Sequence, residues 1–269
     1  MKVLFLSLLC FLLFPKDSHA QQPLNDIVER TILKEKPALT YAPIRESDIM
    51  WERRIWRLID VREKMNHAFN YPEAPFFQLL TELIETAQVQ AYSTETDDFS
   101  IALNTDDLQQ ILFQTDTIRV YDPETQEPTL QVINNSIFYE DIKRFRLQEL
   151  WYFDQSTSTM RVRILGIAPL LEVKDEFENV KFEKPLFWLY YPELREELAH
   201  HEVFNDSNDH SRMSWEDLFE MRRFASVITK RSNILDERLQ DQWRGVDLLL
   251  EADKVKREIF NFEHDVWSY

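Results

Sequence analysis

The chain has 269 residues, 44% of them hydrophobic and 13% aromatic, with 48 acidic against 31 basic side chains and a net charge of −17. That is enough chain for one large domain or two modest ones with a proper core. A field this negative repels phosphate backbones and anionic bilayer surfaces, which argues against nucleic acid and lipid as partners. Gly166 and Gly245 are the only glycines, so no glycine-rich nucleotide loop and no G-x-S-x-G elbow can be written.

Met1 and Lys2 lead into an apolar run, Val3–Phe14, followed by Pro15–Asp17 and the small residues Ser18 and Ala20. A charged start, a run too short to span a bilayer and small residues at the cleavage positions predict a signal peptide over residues 1–20, cut before Gln21. Cys10, the only cysteine, lies inside the run, the wrong place for lipid attachment. Without it the exported chain has no thiol and is held together by core burial and partners.

Residues 21–46, with Pro23, Pro37 and Pro43, read as an extended arm with a short helix near Leu24–Lys34. Ser47 and Asp48 are suited to cap a helix over Ile49–Met65, where Met50, Ile55, Leu58, Ile59, Val61 and Met65 fall near a 3.6 period and Trp51 and Trp56 widen the stripe. Pro72 and Pro75 break the chain before a second helix, Phe76–Gln88. A strand over Val89–Tyr92, a helix over Asp106–Phe113 and a strand pair around Asp122-Pro123 (Thr117–Tyr121 with Leu130–Ile133) follow.

The clearest strand signal comes next. Phe145, Leu147, Trp151 and Phe153 precede a turn at Asp154–Ser158, and Met160, Val162 and Ile164 alternate with Arg161 and Arg163 beyond it. Gly166 and Pro169 are expected to end that strand, and Leu186–Tyr191 is one more. After Pro192 the pattern turns helical: Leu194–His201, a loop over Asn205–Arg212, and a helix from Ser214 to about Arg231 opened by a Ser214/Asp217 capping box. A last helix, Asp247–Phe262, carries Leu248, Leu249, Ala252, Val255, Ile259 and Phe260. The expected fold is α+β, a small, mainly antiparallel sheet packed with several helices, with a helical C-terminal third. Residues 47–269 make one domain, with no repeat or linker.

The residues yield little catalytic chemistry. His200, His201, Glu202, Asp206, Asp209 and His210 are the metal-capable cluster, but adjacent histidines on a helix point about 100° apart and no zinc spacing is present. No metal or cofactor is therefore expected. Carboxylate pairs such as Glu82/Glu85 and Glu196/Glu197 are abundant, and none is singled out as an acid/base couple. The basic residues are concentrated: Arg53, Arg54, Arg57 and Arg62 among Trp51 and Trp56, then Arg222 and Arg223 beside Phe224. Trp and Arg dominate protein interfaces, so Trp51, Arg54, Trp56, Arg57, Arg222 and Arg223 are the candidate partner contacts. Ion pairing within an acidic chain is the competing role for the arginines.

Three blocks are unusual when read together: Asp48–Pro72 (DIMWERRIWRLIDVREKMNHAFNYP), Phe145–Pro169 (FRLQELWYFDQSTSTMRVRILGIAP), and Met213–Asn233 (MSWEDLFEMRRFASVITKRSN) with the tail Leu248–Tyr269. Their order and spacing resemble the gliding-motility and type IX secretion family called GldN, or PorN in bacteria that do not glide. The resemblance implies a periplasmic protein without enzymatic activity, associated with the outer membrane through partners. Family members assemble with a GldK/PorK-type outer-membrane lipoprotein into rings that connect to the periplasmic part of a GldM/PorM-type motor protein. Two other classes remain open on the residues alone, a periplasmic hydrolase and a small-ligand binding protein using an acidic cleft.

Overall fold

The computed structural model describes residues 31–121, 128–174, 180–205 and 212–267. The expected signal peptide, most of the short helix in the arm, the Asp122-Pro123 turn and the acidic stretch 206–211 lie outside the described residues. Leu33–Tyr269 forms one compact unit. Among the described residues, no helix is long and apolar enough to cross a membrane.

The fold is α+β, built on an antiparallel sheet. The strands are β1 (Ile49–Asp60), β2 (Ala91–Tyr92), β3 (Phe113–Tyr121), β4 (Pro128–Ser136), β5 (Ile142–Asp154), β6 (Thr159–Lys174), β7 (Val180–Pro185), β8 (Trp188–Tyr190), β9 (Glu202–Val203), β10 (Met213–Ser214) and β11 (Val227–Arg231). The helices are α1 (Phe76–Glu85), α2 (Thr105–Leu112), α3 (Tyr191–His200), α4 (Trp215–Glu220), α5 (Leu239–Gln242) and α6 (Gly245–Trp267). The main sheet runs β11-β1-β5-β6-β8-β2, with β7 also paired to β6; β3–β4 and β9–β10 form separate ribbons.

The first strong element is a strand and not the predicted helix. β1 runs antiparallel to β5 without a break from Trp51↔Phe153 to Asp60↔Arg144. Its β-branched and aromatic residues suit a pleated surface. Trp51, Ile55 and Ile59 share one face of the sheet, while Trp56 points to the other and is also buried. Burial on both faces removes the clean alternation that marks a half-buried strand, and the apolar spacing left behind mimics a helix. A 3₁₀ segment, Lys64–Asn70, follows.

The β5–β6 hairpin forms where predicted. The Asp154 carboxylate accepts hydrogen bonds from Ser156 N at 3.0 Å and Ser156 Oγ at 2.6 Å, closing the turn. Gly166 and Pro169 do not end β6. The pairing slips between Gln148 and Glu149, leaving an extra residue on β6 beside Gly166. The Pro169 carbonyl still accepts from Leu186 N at 3.0 Å. The expected helix from Ser214 to Arg231 is also corrected. The capping box is real, with Asp217 N donating to Ser214 Oγ at 3.2 Å and Ser214 N to Asp217 Oδ2 at 3.0 Å. But α4 stops at Glu220, Arg222 takes a left-handed φ of 53°, and the chain re-enters the sheet as β11.

Three apolar clusters hold these layers together. The largest packs α1, α3 and α4 against the Ile59 face of the sheet, around Phe69, Phe76, Phe145, Trp215 and Phe219. Phe69 meets Phe76 edge-on at 5.4 Å and Trp215 at 5.1 Å; removing one such buried ring costs about 3–5 kcal/mol. A smaller cluster seats α6 through Ala252, Val255 and Ile259 on Ile55 and Ile228. On the opposite face Trp56, Ala168 and Trp188 pack with Tyr92 and Phe99.

Candidate partner interface

With β1 a strand, the six candidate residues do not form one surface. Trp51 is half-buried and stacks on Phe262 of α6, ring centroids 4.9 Å apart. Trp56 is 6% exposed, covered on one side by the Lys230 ammonium at 4.3 Å from its ring. Arg57 is 7% exposed. Trp56 and Arg57 are thus engaged within the chain itself. Arg54 and Arg223 are exposed, and among the described residues Arg223 makes one polar contact, to Met213 Sδ at 3.6 Å.

The structure does bring two of the six together, from opposite ends of the sequence. Glu149 on β5 is wholly buried. It accepts from Arg57 Nε at 2.9 Å and Trp151 Nε1 at 2.8 Å, and Arg222 Nη2 lies 2.9 Å from its other oxygen. Both guanidiniums also lie over the Trp151 ring, at 5.8 and 5.3 Å. Burial pulls the Arg57 pKa below its ordinary value, and the Glu149 carboxylate opposes that fall. Two cations share one anion here, so intramolecular pairing accounts for Arg57 and Arg222.

Residues 33–41 of the arm bind the body of their own chain. Lys36 Nζ donates to Asp217 Oδ2 at 2.5 Å and Ser214 Oγ at 3.1 Å, and Leu39 N to Glu216 Oε1 at 2.8 Å. Arg195 pairs with Glu216 at 2.7 Å and donates to the Leu39 carbonyl. The Tyr41 hydroxyl donates to Glu220, while the guanidiniums of Arg163 and Arg195 stack on its ring at 3.3 and 3.6 Å. Burial first and the Glu220 carboxylate second push the Tyr41 hydroxyl pKa up. Burial opposes ionisation of Asp217, but Lys36 and Ser214 outweigh it, and its pKa falls.

Of the metal-capable cluster, Asp206, Asp209 and His210 lie outside the described residues. His200 Nδ1 lies 3.1 Å from the Leu33 carbonyl, and burial lowers the His201 pKa. Among the described residues, no three His, Cys, Asp or Glu side chains are grouped as a metal site.

Two surfaces had no forecast. The first is apolar. Ile234, Leu235, Trp243, Val246, Leu249 and Leu250 are 103%, 72%, 42%, 72%, 55% and 57% exposed. Of the apolar residues carried by the last helix, Leu249 and Phe260 are exposed, and the inward stripe is Ala252, Val255 and Ile259. The outward stripe was visible in the sequence as a second set of apolar residues on α6, which a single-face reading merges with the first. The second surface is a groove beside the 3₁₀ segment, about 960 Å³ in volume, whose lining includes Arg62, Lys64, Lys143 and Arg223. Its cations come from three separate stretches of chain, around Arg62 and Lys64, at Lys143 and at Arg223, so no local charge run announces it.

Comparison with curated proteins gave no match. Comparison with protein families matched residues 44–268 to the family described as "Gliding motility associated protein GldN". The matched span opens before β1 and runs to the end of α6, taking in the whole sheet, the Glu149 cluster and both unforecast surfaces. The chain therefore belongs to the GldN family of gliding motility associated proteins.

Proposed function

We propose that this GldN family member is a non-enzymatic structural subunit of the type IX secretion and gliding machinery. It is exported to the periplasm and assembles with a GldK/PorK-type outer-membrane lipoprotein into a ring, and the ring connects to the periplasmic part of a GldM/PorM-type motor protein. The observation that carries this reading is the apolar surface of the α5–α6 region. Isolated exposed apolar residues are ordinary, but six large ones crowded into the short stretch Ile234–Leu250 are the kind of concentration that marks an interaction site. Head-to-tail contacts through such a patch close into rings when the rotation between subunits permits.

Purification of the full chain with the lipoprotein tests this reading. Leu249→Ser with Leu250→Ser is expected to reduce co-purification and ring size while leaving circular dichroism unchanged. A monodisperse monomer that ignores the lipoprotein at micromolar concentration would overturn the reading. N-terminal mass analysis of the exported protein is expected to begin at Gln21; a chain beginning at a lipid-bearing Cys10 would overturn the lipoprotein-dependent attachment.

A further inference from the structure

The groove beside the 3₁₀ segment combines two properties that rarely coincide on a chain of net charge −17. Its described charged lining is wholly basic: Arg62, Lys64, Lys143 and Arg223, with His67 beside them. Arg62 is already paired with Asp60 at 2.6 Å. Lys64, Lys143 and Arg223 have no carboxylate within ion-pair distance among the described residues, the one polar contact of Arg223 being the Met213 sulfur. Elsewhere most arginines are matched to acids, as expected where carboxylates are in excess. Lys64, Lys143 and Arg223 gather three cations without a carboxylate partner among the described residues around one depression.

The second property is its walls. Tyr71 and Phe204 stack with ring centroids 4.4 Å apart and an interplanar angle of 15°, and both line the groove. Met65, 62% exposed, and Phe204, 43% exposed, leave apolar surface in water beside the cations. Methionine adapts its shape to varied partners at low cost. A free inorganic anion would use the charges and leave this apolar surface wet, whereas a peptide would use both.

We propose that this groove binds an extended acidic peptide segment of another protein, with one large apolar side chain against Met65 and the Tyr71–Phe204 pair and carboxylates on Lys64, Lys143 and Arg223. Charge complementarity selects the occupant. The body as a whole repels acidic ligands, so an acidic segment is held only where a local basic field is backed by low-dielectric walls. The same negative body repels a second copy of itself, which favours a segment of a different chain. This surface is separate from the α5–α6 patch, and the proposal stands or falls independently of ring assembly.

The test uses the full chain and a fluorescein-labelled ten-residue peptide of Glu and Asp around a central Phe-Leu pair, followed by anisotropy. Replacing Phe-Leu by Ser-Ser is expected to weaken binding about fivefold, and replacing every carboxylate by its amide about tenfold. Raising the salt concentration weakens the parent peptide, because the rim contacts are screened. Lys143→Glu with Arg223→Glu is expected to weaken binding at least about tenfold. Lys254→Glu with Lys256→Glu, an equal change of net charge on α6, leaves it unchanged. If the groove variant loses its circular dichroism signal, Met65→Ser reads the apolar seat alone and is expected to weaken binding about fivefold. Absence of parent-peptide binding, or equal losses in the two double variants, would overturn the proposal. So would sedimentation showing that the chain pairs with itself through the groove and that Lys143→Glu with Arg223→Glu abolishes the pairing.

Discussion

Arg57 on β1 donates from Nε to the Glu149 carboxylate on β5 at 2.9 Å, and that carboxylate is wholly inaccessible to water. Breaking a buried pair by removing one partner costs about 3–5 kcal/mol, because the charge left behind has no compensation. Glu149→Gln should therefore destabilise the chain by about that amount, since Arg57 and Arg222 both lose their anion. Arg57→Met with Glu149→Met should be less damaging than Glu149→Gln alone. Urea denaturation of the variants measures both; additive losses would show that the pair acts independently of its burial.

Tyr41 fastens the arm through a hydroxyl and a ring, and the two are separable. Tyr41→Phe removes the bond to Glu220 but keeps both stacked guanidiniums, an expected loss of about 1.5–3 kcal/mol for a hydrogen bond to a charged group. Tyr41→Ala removes both and should open residues 33–41 to proteases. Docking also depends on pH. The Tyr41 pKa is raised in the folded chain, so its contribution is full below the ordinary tyrosine value near 10 and is lost as pH rises beyond it. The Asp217 pKa is lowered, so its contribution is full above the ordinary value near 4 and is lost as pH falls through the lowered one. Hydrogen exchange across residues 33–41 should be slowest between those limits relative to its intrinsic rate.

Gly166 lies under the Phe99 ring. A Cβ at this position would come within 2.5 Å of Phe99 Cζ and 3.2 Å of the Leu189 carbonyl oxygen. Phe99 itself holds a left-handed φ of 59°, so its backbone has little freedom to follow. Gly166→Ala should cost about 1–3 kcal/mol, the usual range for overpacking. Exchange in the segment containing Asp97 and Phe99 should rise selectively. Retained protection there would mean that the ring swings aside at no expense.

The candidate Trp and Arg residues should divide by burial and not by residue type. Trp56→Ala is expected to cost about 3–5 kcal/mol, as for other buried aromatics. Arg54→Ala and Arg223→Ala, both exposed, should change the melting temperature by no more than an ordinary surface substitution, about 0.5 kcal/mol in stability. A large loss for Arg54→Ala would place it in a contact within the chain.

The sequence was most legible where one signal dominated. Alternation around Trp151 and Met160, the prolines before Phe76 and the Ser214/Asp217 box each marked a real hairpin, helix start and cap. It was least legible where neighbours decide. β1 is covered on both faces, by α6 and the main core on one and by Trp188 and Phe99 on the other, and period alone cannot identify such a strand. β11 follows a helix that stops after two turns because Arg222 turns left-handed, a backbone state that an arginine does not advertise. The Arg and Trp composition pointed to partner contacts, whereas Arg57 and Arg222 meet on Glu149, an anion on a strand far away in sequence.

The narrow seat of α6 has a consequence for the order in which this molecule comes apart. The contacts of this 23-residue helix among the described residues include three buried side chains, the Phe262 ring against Trp51 and Phe153, Glu258 with Arg231 and Arg53, and Glu263 with Met160 N, whereas the α1–α3–α4 layer shares a far larger cluster. Under rising denaturant α6 should lift first, uncovering Ile55 and Ile228 while the rest of the sheet keeps its cover. The molecule then behaves as a rigid platform with a detachable clasp, and the clasp also carries Val246, Leu249 and Leu250 on its outer side. Anything that grips that outer side draws on the weakest seam of the fold.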